Sequence, residues 1–253
     1  MTTRALVRRP DPRLAEGLVS HIERRTVDVG LARRQWQAYV DALRAQGWET
    51  VEVEPADGCP DSVFVEDPVV VYGDLAVITR SGAPQRRPEA AGVERAVRAA
   101  GYHVARIEQP GTLDGGDVLK VGSTVYVGLS GRTNEAGVRQ LAALLDATGA
   151  TVVPVPVTKV LHLKSAVTAL PDGTVIGYPP LVDDPAVFAD FLAVPEEPGA
   201  HVVLLGGNRV LLAASAPRTA ARLRARGLEP VTVDIGEFEK LEGCVTCLSV
   251  RLR

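Results

Sequence analysis

Cys244 and Cys247, three residues apart, and His162, set in an apolar stretch, are the residues whose types can carry covalent chemistry. A Cys-x-x-Cys pair serves a thioredoxin-type redox site, half of a zinc site, or packing alone. The redox site sits between a strand and a helix start. A structural zinc site wants a second ligand pair, and neither Cys59 nor the four histidines show paired spacing. The segment CVTCLSVRLR reads as a strand near the C-terminus with no helix after it. Successive strand side chains alternate faces. Residues three apart therefore face opposite ways, one toward a pocket and the other into packing. His162 lies in KVLHLKS, just before a hairpin. It is either a satisfied core histidine or an acid–base group. His21, His103 and His201 show no comparable setting.

The densest acidic cluster is DSVFVED, which holds Asp61, Glu66 and Asp67 directly before the apolar run Pro68–Val71. Carboxylates at a strand end are often solvated or capping groups. Two of them at one strand end also match the fork of donors on a guanidinium, which is planar and permanently cationic. Asp114-Gly-Gly-Asp117 reads as a tight turn. Arg86, Arg87 and Arg132 are either surface charge or grips for a substrate carboxylate.

These residues hang on a recurring order of elements: a hairpin, an amphipathic helix and a third strand. The clearest copy predicts strands at Val69–Tyr72 and Leu75–Thr79, a helix over Pro88–Ala100 and a strand over Tyr102–Glu108. A second has Val118–Val121, Thr124–Leu129, a helix over Asn134–Ala147 and Thr151–Val157. A third opens with Ala166–Leu170 and Thr174–Gly177, with a helix near Pro185–Leu192. A fourth has Val202–Leu205, Arg209–Ala213, a helix near Pro217–Arg226 and Val231–Asp234. The fifth closes through the chain ends: Cys244–Leu252, Ala5–Arg8, a helix over Leu31–Gln46 and Thr50–Val53. The Gly-containing turns are hairpin signals, and the helices carry apolar residues three and four apart. Five units of about fifty residues suggest a closed, pseudo-symmetric ring, which leaves no exposed sheet edge. An ordinary doubly wound α/β sheet also alternates strands with helices.

The 253 residues are 46% hydrophobic and 23% charged, as in a folded protein with a sizeable core. A net charge of −3 gives no footprint for nucleic acid. No apolar run is long enough to span a bilayer, and MTTRALVRRPDPR lacks the apolar stretch of a signal peptide. Three cysteines form no disulfide framework. The expectation is a cytoplasmic protein in a reducing compartment, without nucleic-acid or membrane partners.

VFVEDPVVV, ITRSGAPQRR, GTLDGGDVL, VGLSGRTN, LHLKS and LEGCVTCLSV occur in this order. Together they resemble the dimethylarginine dimethylaminohydrolases, within the guanidine-modifying superfamily that includes arginine deiminases and amidinotransferases. The resemblance runs from about Leu18 to Val250. It implies an α/β pentein fold, a five-bladed propeller of ββαβ units with pseudo-fivefold symmetry, as a single catalytic domain over residues 1–253. By the resemblance, Cys247 is the nucleophile, His162 the general acid/base and Asp114 the carboxylate that orients it. Glu66 and Asp67 hold the guanidinium. Asp61, Arg86 and Arg132 bind the amino-acid end of the substrate. Leu18, on a mobile lid, and Leu241 line the site, and Cys244 is left to packing.

The chemistry so implied is attack of the Cys247 thiolate on the guanidinium carbon. A thiol with a pKa near ~8.5 is mostly protonated at neutral pH, so a cation beside it favours the thiolate. His162 protonates the departing amine and then activates the water that hydrolyses the adduct. No metal or organic cofactor is required, and a homodimer is expected from the resemblance. The nearest rival is an arginine deiminase acting on unmethylated arginine or another guanidino compound; such enzymes usually carry an added helical domain. A non-catalytic pentein module and a zinc or redox protein built on Cys244 and Cys247 are the other readings.

Overall fold

The computed structural model describes residues 3–252. The strand β1 (Arg4–Val7), the helix α1 (Val29–Ala45) and the strand β2 (Glu49–Glu52) come first. A ββαβ unit follows: β3 (Val69–Tyr72), β4 (Leu75–Ile78), α2 (Ala90–Ala99) and β5 (His103–Arg106). The next unit is β6 (Val118–Val121), β7 (Thr124–Leu129), α3 (Glu135–Leu145) and β8 (Thr151–Pro156). After β9 (Val167–Ala169), β10 (Val175–Gly177) and β11 (Phe191–Ala193) comes a unit of β12 (Val203–Gly206), β13 (Arg209–Ala213), α4 (Pro217–Ala225) and β14 (Glu229–Val233). A short helix α5 (Gly236–Glu239) and β15 (Val250–Leu252) end the described chain.

Among the described residues the strands make five three-stranded sheets, ordered β15-β1-β2, β3-β4-β5, β6-β7-β8, β9-β10-β11 and β12-β13-β14. In each, the first pair is antiparallel and the second parallel. Hairpins make the first pair in every sheet but β15-β1-β2, and a helical crossover precedes the second in every sheet but β9-β10-β11. The expected closure through the chain ends is present, because β15 pairs with β1.

Side-chain alternation joins these sheets into a ring. Val69 and Val71 point into a cluster with Leu6 and Val250. Val70, between them, points into a cluster with Val118 and Val125. Tyr126 faces a cluster with Val167 and Val175, while Ile176 packs with Val210 and Leu212. Leu211 and Ala213 turn the other way, onto Ala5 and Val7. Each of five apolar clusters thus fills the junction between two successive sheets. A strand buried on both faces reads as a continuous apolar run, which is why VVVY and LAVI show no polar alternation. The first strands of all five sheets border one central cavity of about 390 Å³. The arrangement is the mixed α/β pentein, not a doubly wound sheet.

The helices cover the outside. Asp28 caps α1 by accepting from the Leu31 N–H, and Asn134 caps α3 through the Gly137 N–H. Trp36, Tyr39, Val40 and Leu43 form the buried stripe of α1.

Two expectations are corrected. The helix expected near Pro185–Leu192 is a single 3-10 turn, Pro185–Val187, followed by the strand β11. Pro185 starts the turn, but Phe191, Leu192 and Ala193 beyond it pair alongside β10 instead. The strand expected over Cys244–Leu252 is confined to Val250–Leu252. Residues 245–248 are a turn, closed by the Cys247 N–H donating to the Cys244 carbonyl at 3.1 Å. Its apolar character comes from burial, since Cys244, Val245, Cys247 and Leu248 are all in the core. Cys244 and Cys247 therefore do not face opposite ways: their sulfurs lie 3.3 Å apart.

Candidate active site

Eight of the ten candidate residues border one small cavity: Leu18, Asp61, Asp67, Arg86, Arg132, His162, Leu241 and Cys247. It holds about 10 Å³, room for about one water. Asp114 stands behind His162, and Glu66 borders the central cavity instead. Phe64, Leu161, Glu242 and Gly243, not singled out from the sequence, complete the wall.

His162 enters from the connection after β8, just before the 3-10 turn Leu163–Ser165. Its Nε2 lies 3.1 Å from Asp114 Oδ2, and its Nδ1 lies 3.8 Å from Asp67 Oδ1. Burial opposes a charged imidazole here. The carboxylates of Asp67, Asp114 and Asp117 outweigh it and raise the pKa to about 9. Asp114 is fully buried, which alone would raise its pKa. The contact with His162, with help from Arg86 and Arg132, brings it down to about 2.

The motif DGGD proves to be a scaffold for the histidine. Asp117 accepts from the Leu163 N–H at 2.9 Å, the Thr133 hydroxyl at 2.6 Å and the Ser130 hydroxyl at 2.7 Å. The connection that carries His162 is thereby tied to the end of β7. A Cβ on Gly116 would lie 2.6 Å from His162 Nδ1 and 2.8 Å from Asp67 Oδ1. On Gly115 it would lie 2.2 Å from the Glu66 carbonyl oxygen. Both glycines are there for close approach. Asp117 was legible as the second acid of the motif, but its partners are brought to it only by the fold.

Asp67 is held on both oxygens. Oδ2 accepts from Arg86 Nη1 at 2.6 Å, and Oδ1 from the Gly116 N–H at 3.1 Å. Arg86 also donates to Glu89 through Nε at 2.9 Å and Nη2 at 2.8 Å, with all three side chains buried. Burial works against its charge, but Glu89 and Asp67 keep Arg86 firmly protonated. Glu89, three residues on from Arg86, is a partner the sequence reading missed; the spacing was its only signal. Replacing Arg86 with alanine strands two buried carboxylates. We expect a loss of about 3–5 kcal/mol in stability, read from urea unfolding. A loss below about 1 kcal/mol would rule out this structural part.

Glu66 Oε1 accepts from Lys164 at 2.6 Å and Arg251 at 3.1 Å, and the Glu66 N–H donates to the Cys247 carbonyl at 3.3 Å. Oε2 is buried and has no hydrogen-bond partner among the described residues. Asp61 accepts from the Leu18 N–H at 3.1 Å on each oxygen, and its burial raises its pKa. The Ser20 and His21 N–H groups donate to Glu242 at 2.8 and 2.7 Å. The segment bearing Leu18 is pinned across the cavity by these contacts. Arg132 Nη1 lies 3.4 Å from Asp114 Oδ2.

The two sulfurs share one hydrogen bond. Donation from Cys247 lowers the Cys244 pKa to about 5, against the effect of burial. The same bond holds the proton on Cys247 and pushes that thiol well above its usual range, which burial reinforces. The pair loses its first proton easily and its second with difficulty.

The description arginine deiminase belongs to the family model that matches residues 18–203. Over 250 residues the chain is 70% identical to an N(G),N(G)-dimethylarginine dimethylaminohydrolase of Streptomyces coelicolor, covering 99% of this chain and 97% of that one. It is 37% identical over 251 residues to the Pseudomonas aeruginosa enzyme of the same name, covering 97% and 98%. A structure of that Pseudomonas aeruginosa protein, a mutant complexed with citrulline, superposes with a TM-score of 0.92 at 35% identity over 100% of both chains.

Proposed function

Because this chain belongs to the dimethylarginine dimethylaminohydrolase family, we propose that it hydrolyses Nω,Nω-dimethyl-L-arginine to L-citrulline and dimethylamine through a covalent adduct on Cys247. Nω-monomethyl-L-arginine gives methylamine by the same route. The observation that carries the mechanism is the single cavity bordered by Cys247, His162 and Asp67.

The substrate guanidinium sits between Cys247 and the acids. Its N–H groups donate to Asp67 and to the unpartnered Oε2 of Glu66, which holds the carbon in line with sulfur. The Cys244–Cys247 pair carries one negative charge in the resting enzyme. A cation beside Cys247 draws that charge to its sulfur and leaves the proton on Cys244. The thiolate attacks the guanidinium carbon and forms a C–S bond. His162, protonated below about pH 9, gives its proton to the dimethylamino nitrogen as the C–N bond breaks. The now neutral imidazole takes a proton from water, which attacks the thiouronium carbon. The C–S bond breaks and citrulline leaves. Asp114 keeps the ring oriented and favours its charged form throughout. Asp61, Arg86 and Arg132 take the amino-acid end, with Leu18 and Leu241 as wall. A cavity of about 10 Å³ is far smaller than dimethylarginine, so the Leu18 segment parts from Asp61 and Glu242 to admit it.

The reading extends to a single catalytic domain that works in the cytoplasm as a homodimer. The three free cysteines support a reducing compartment, and among the described residues no helix is long and apolar enough to cross a membrane. Light scattering on purified protein tests the dimer.

The arginine deiminase description of the matching model favours a second reading, hydrolysis of unmethylated arginine. Citrulline release from dimethylarginine, monomethylarginine and arginine separates the two. We expect kcat/KM for arginine to be lower by about tenfold or more, the discrimination that filling a methyl pocket supplies. Equal or faster turnover of arginine would transfer the activity to the deiminase reading.

A further inference from the structure

We propose that Cys244 and Cys247 form a reversible intramolecular disulfide, written by hydrogen peroxide that reaches Cys244 through a cavity of its own and erased by small thiols. The formation of the bond stands on geometry alone. Its effect on turnover rests on the nucleophile role given to Cys247 above.

The sulfurs are already 3.3 Å apart and buried together. The Cys247 N–H donates to the Cys244 carbonyl, which makes the two residues the ends of a four-residue turn. Such ends have Cα atoms less than ~7 Å apart, within the range a disulfide bridges. A closure of about 1.3 Å brings the sulfurs to the bond length of ~2.05 Å. Small side-chain rotations within the turn supply it. The third cysteine, Cys59, takes no part: its sulfur contacts the Gln85 carbonyl.

Access is asymmetric. Cys247 borders the small cavity of about 10 Å³. Cys244 borders a different one of about 390 Å³, whose walls include His21, Lys159, His201, Lys240 and Glu242. Leu161, Glu242 and Gly243 border both cavities, but Cys244 lines only the larger and Cys247 only the smaller, so peroxide meets Cys244 without entering the small cavity. The Cys247 hydrogen bond and the nearby His201 keep Cys244 in its thiolate form at neutral pH, against burial.

The chemistry balances in two steps. The Cys244 thiolate attacks one peroxide oxygen, the O–O bond breaks, and the departing hydroxide takes up a proton to leave as water. Cys247 then attacks the sulfur of the Cys244 sulfenic acid. The S–O bond breaks, the hydroxyl leaves as water with the Cys247 proton, and the S–S bond forms. Two thiols lose two electrons and two protons, and one peroxide becomes two waters. A small thiol reverses this by exchange through a mixed disulfide on Cys244, the sulfur that faces the larger cavity. Transient redox sensing of this kind is the ordinary use of a disulfide in a reducing compartment.

The test treats the reduced full-length protein with hydrogen peroxide, removes it with catalase, and measures intact mass, the 241–251 peptide without reductant, and citrulline release. The expected result is a loss of about 2 Da confined to that peptide, with activity lost and then restored by dithiothreitol. Cys244→Ser should show no such mass loss; with no second thiol to trap the sulfenic acid, peroxide should carry Cys247 on to the sulfinic or sulfonic acid, which dithiothreitol does not reduce. In Cys247→Ser, saturating citrulline should leave dimedone trapping of the Cys244 sulfenic acid unchanged, and protection would overturn the separate access. Oxygen addition to wild-type Cys247 without loss of two hydrogens would overturn the disulfide. So would a Cys244→Ser protein that loses and regains activity as wild type does. A disulfide that forms with turnover intact would remove Cys247 as nucleophile, whereas no disulfide in a protein that Cys247→Ser inactivates removes this inference alone.

Discussion

Cys247→Ser should lower citrulline release from dimethylarginine by at least about 10⁴-fold, the scale seen when a nucleophile is lost. The serine hydroxyl is a far weaker acid than the thiol, so no nearby group here makes it an alkoxide. The substrate's cation can draw charge onto sulfur because the two sulfurs lie 3.3 Å apart and their hydrogen bond eases loss of the pair's first proton. It finds no charge to draw onto serine. The substitution is small and buried, so the fold should hold, and circular dichroism with citrulline binding checks that it does. Cys244→Ser should keep most of the turnover, since a hydroxyl there still donates to the Cys247 sulfur. Its acid limb should move to higher pH, because a serine cannot share the negative charge. An active Cys247→Ser protein, or an inactive Cys244→Ser protein, would reverse the assignment of the two.

His162→Gly should cut turnover by about 10²–10⁴-fold, the contribution of a positioned acid–base group. Dimethylamine is a poor leaving group without a proton, and the adduct has no base to activate water. The pH profile adds a sharper reading. A protonated imidazole is needed for amine release, and its pKa of about 9 in the free enzyme means wild-type kcat/KM should be level through neutrality and fall as pH rises through about 9. The variant should lack that limb. Intact mass during turnover should show the covalent adduct if its hydrolysis is the slower step. A variant with wild-type rate and an unchanged fall near pH 9 would take His162 out of the reaction. Asp114 and Asp67 lose their shared partner in this variant, so urea unfolding should accompany the kinetics.

Burial of strands on both faces made the fold legible. Apolar runs such as VVVY and LAVI, repeated with turns and amphipathic helices, marked four hairpins and most of their helices. The weakest unit was the one whose helix is missing. In Pro185–Leu192 the apolar spacing suits a helix, but the pairing of β11 with β10 uses its end, Phe191 and Leu192, as a strand. Local pattern cannot decide between two uses of one short apolar segment.

The same limit applied to CVTC. Read as a strand, the motif sent its sulfurs to opposite faces. As a buried turn it sets them side by side, and the chemistry of the pair changes with that single difference. By itself the sequence determined the residue types: a thiol, an imidazole, carboxylates and arginines, in motifs ordered along the chain. It also determined the five-unit repeat that brings their strands around one centre. Only the tertiary structure decided which group meets which. Arg86 is tied to Asp67 and Glu89, Glu66 to Lys164 and Arg251, Asp117 to the connection that carries His162, and Cys244 to Cys247. The physical reason is that these contacts join residues far apart in the chain, or depend on one turn's conformation. Hydrogen bonds and proton sharing are set by ångström distances that residue order does not encode locally.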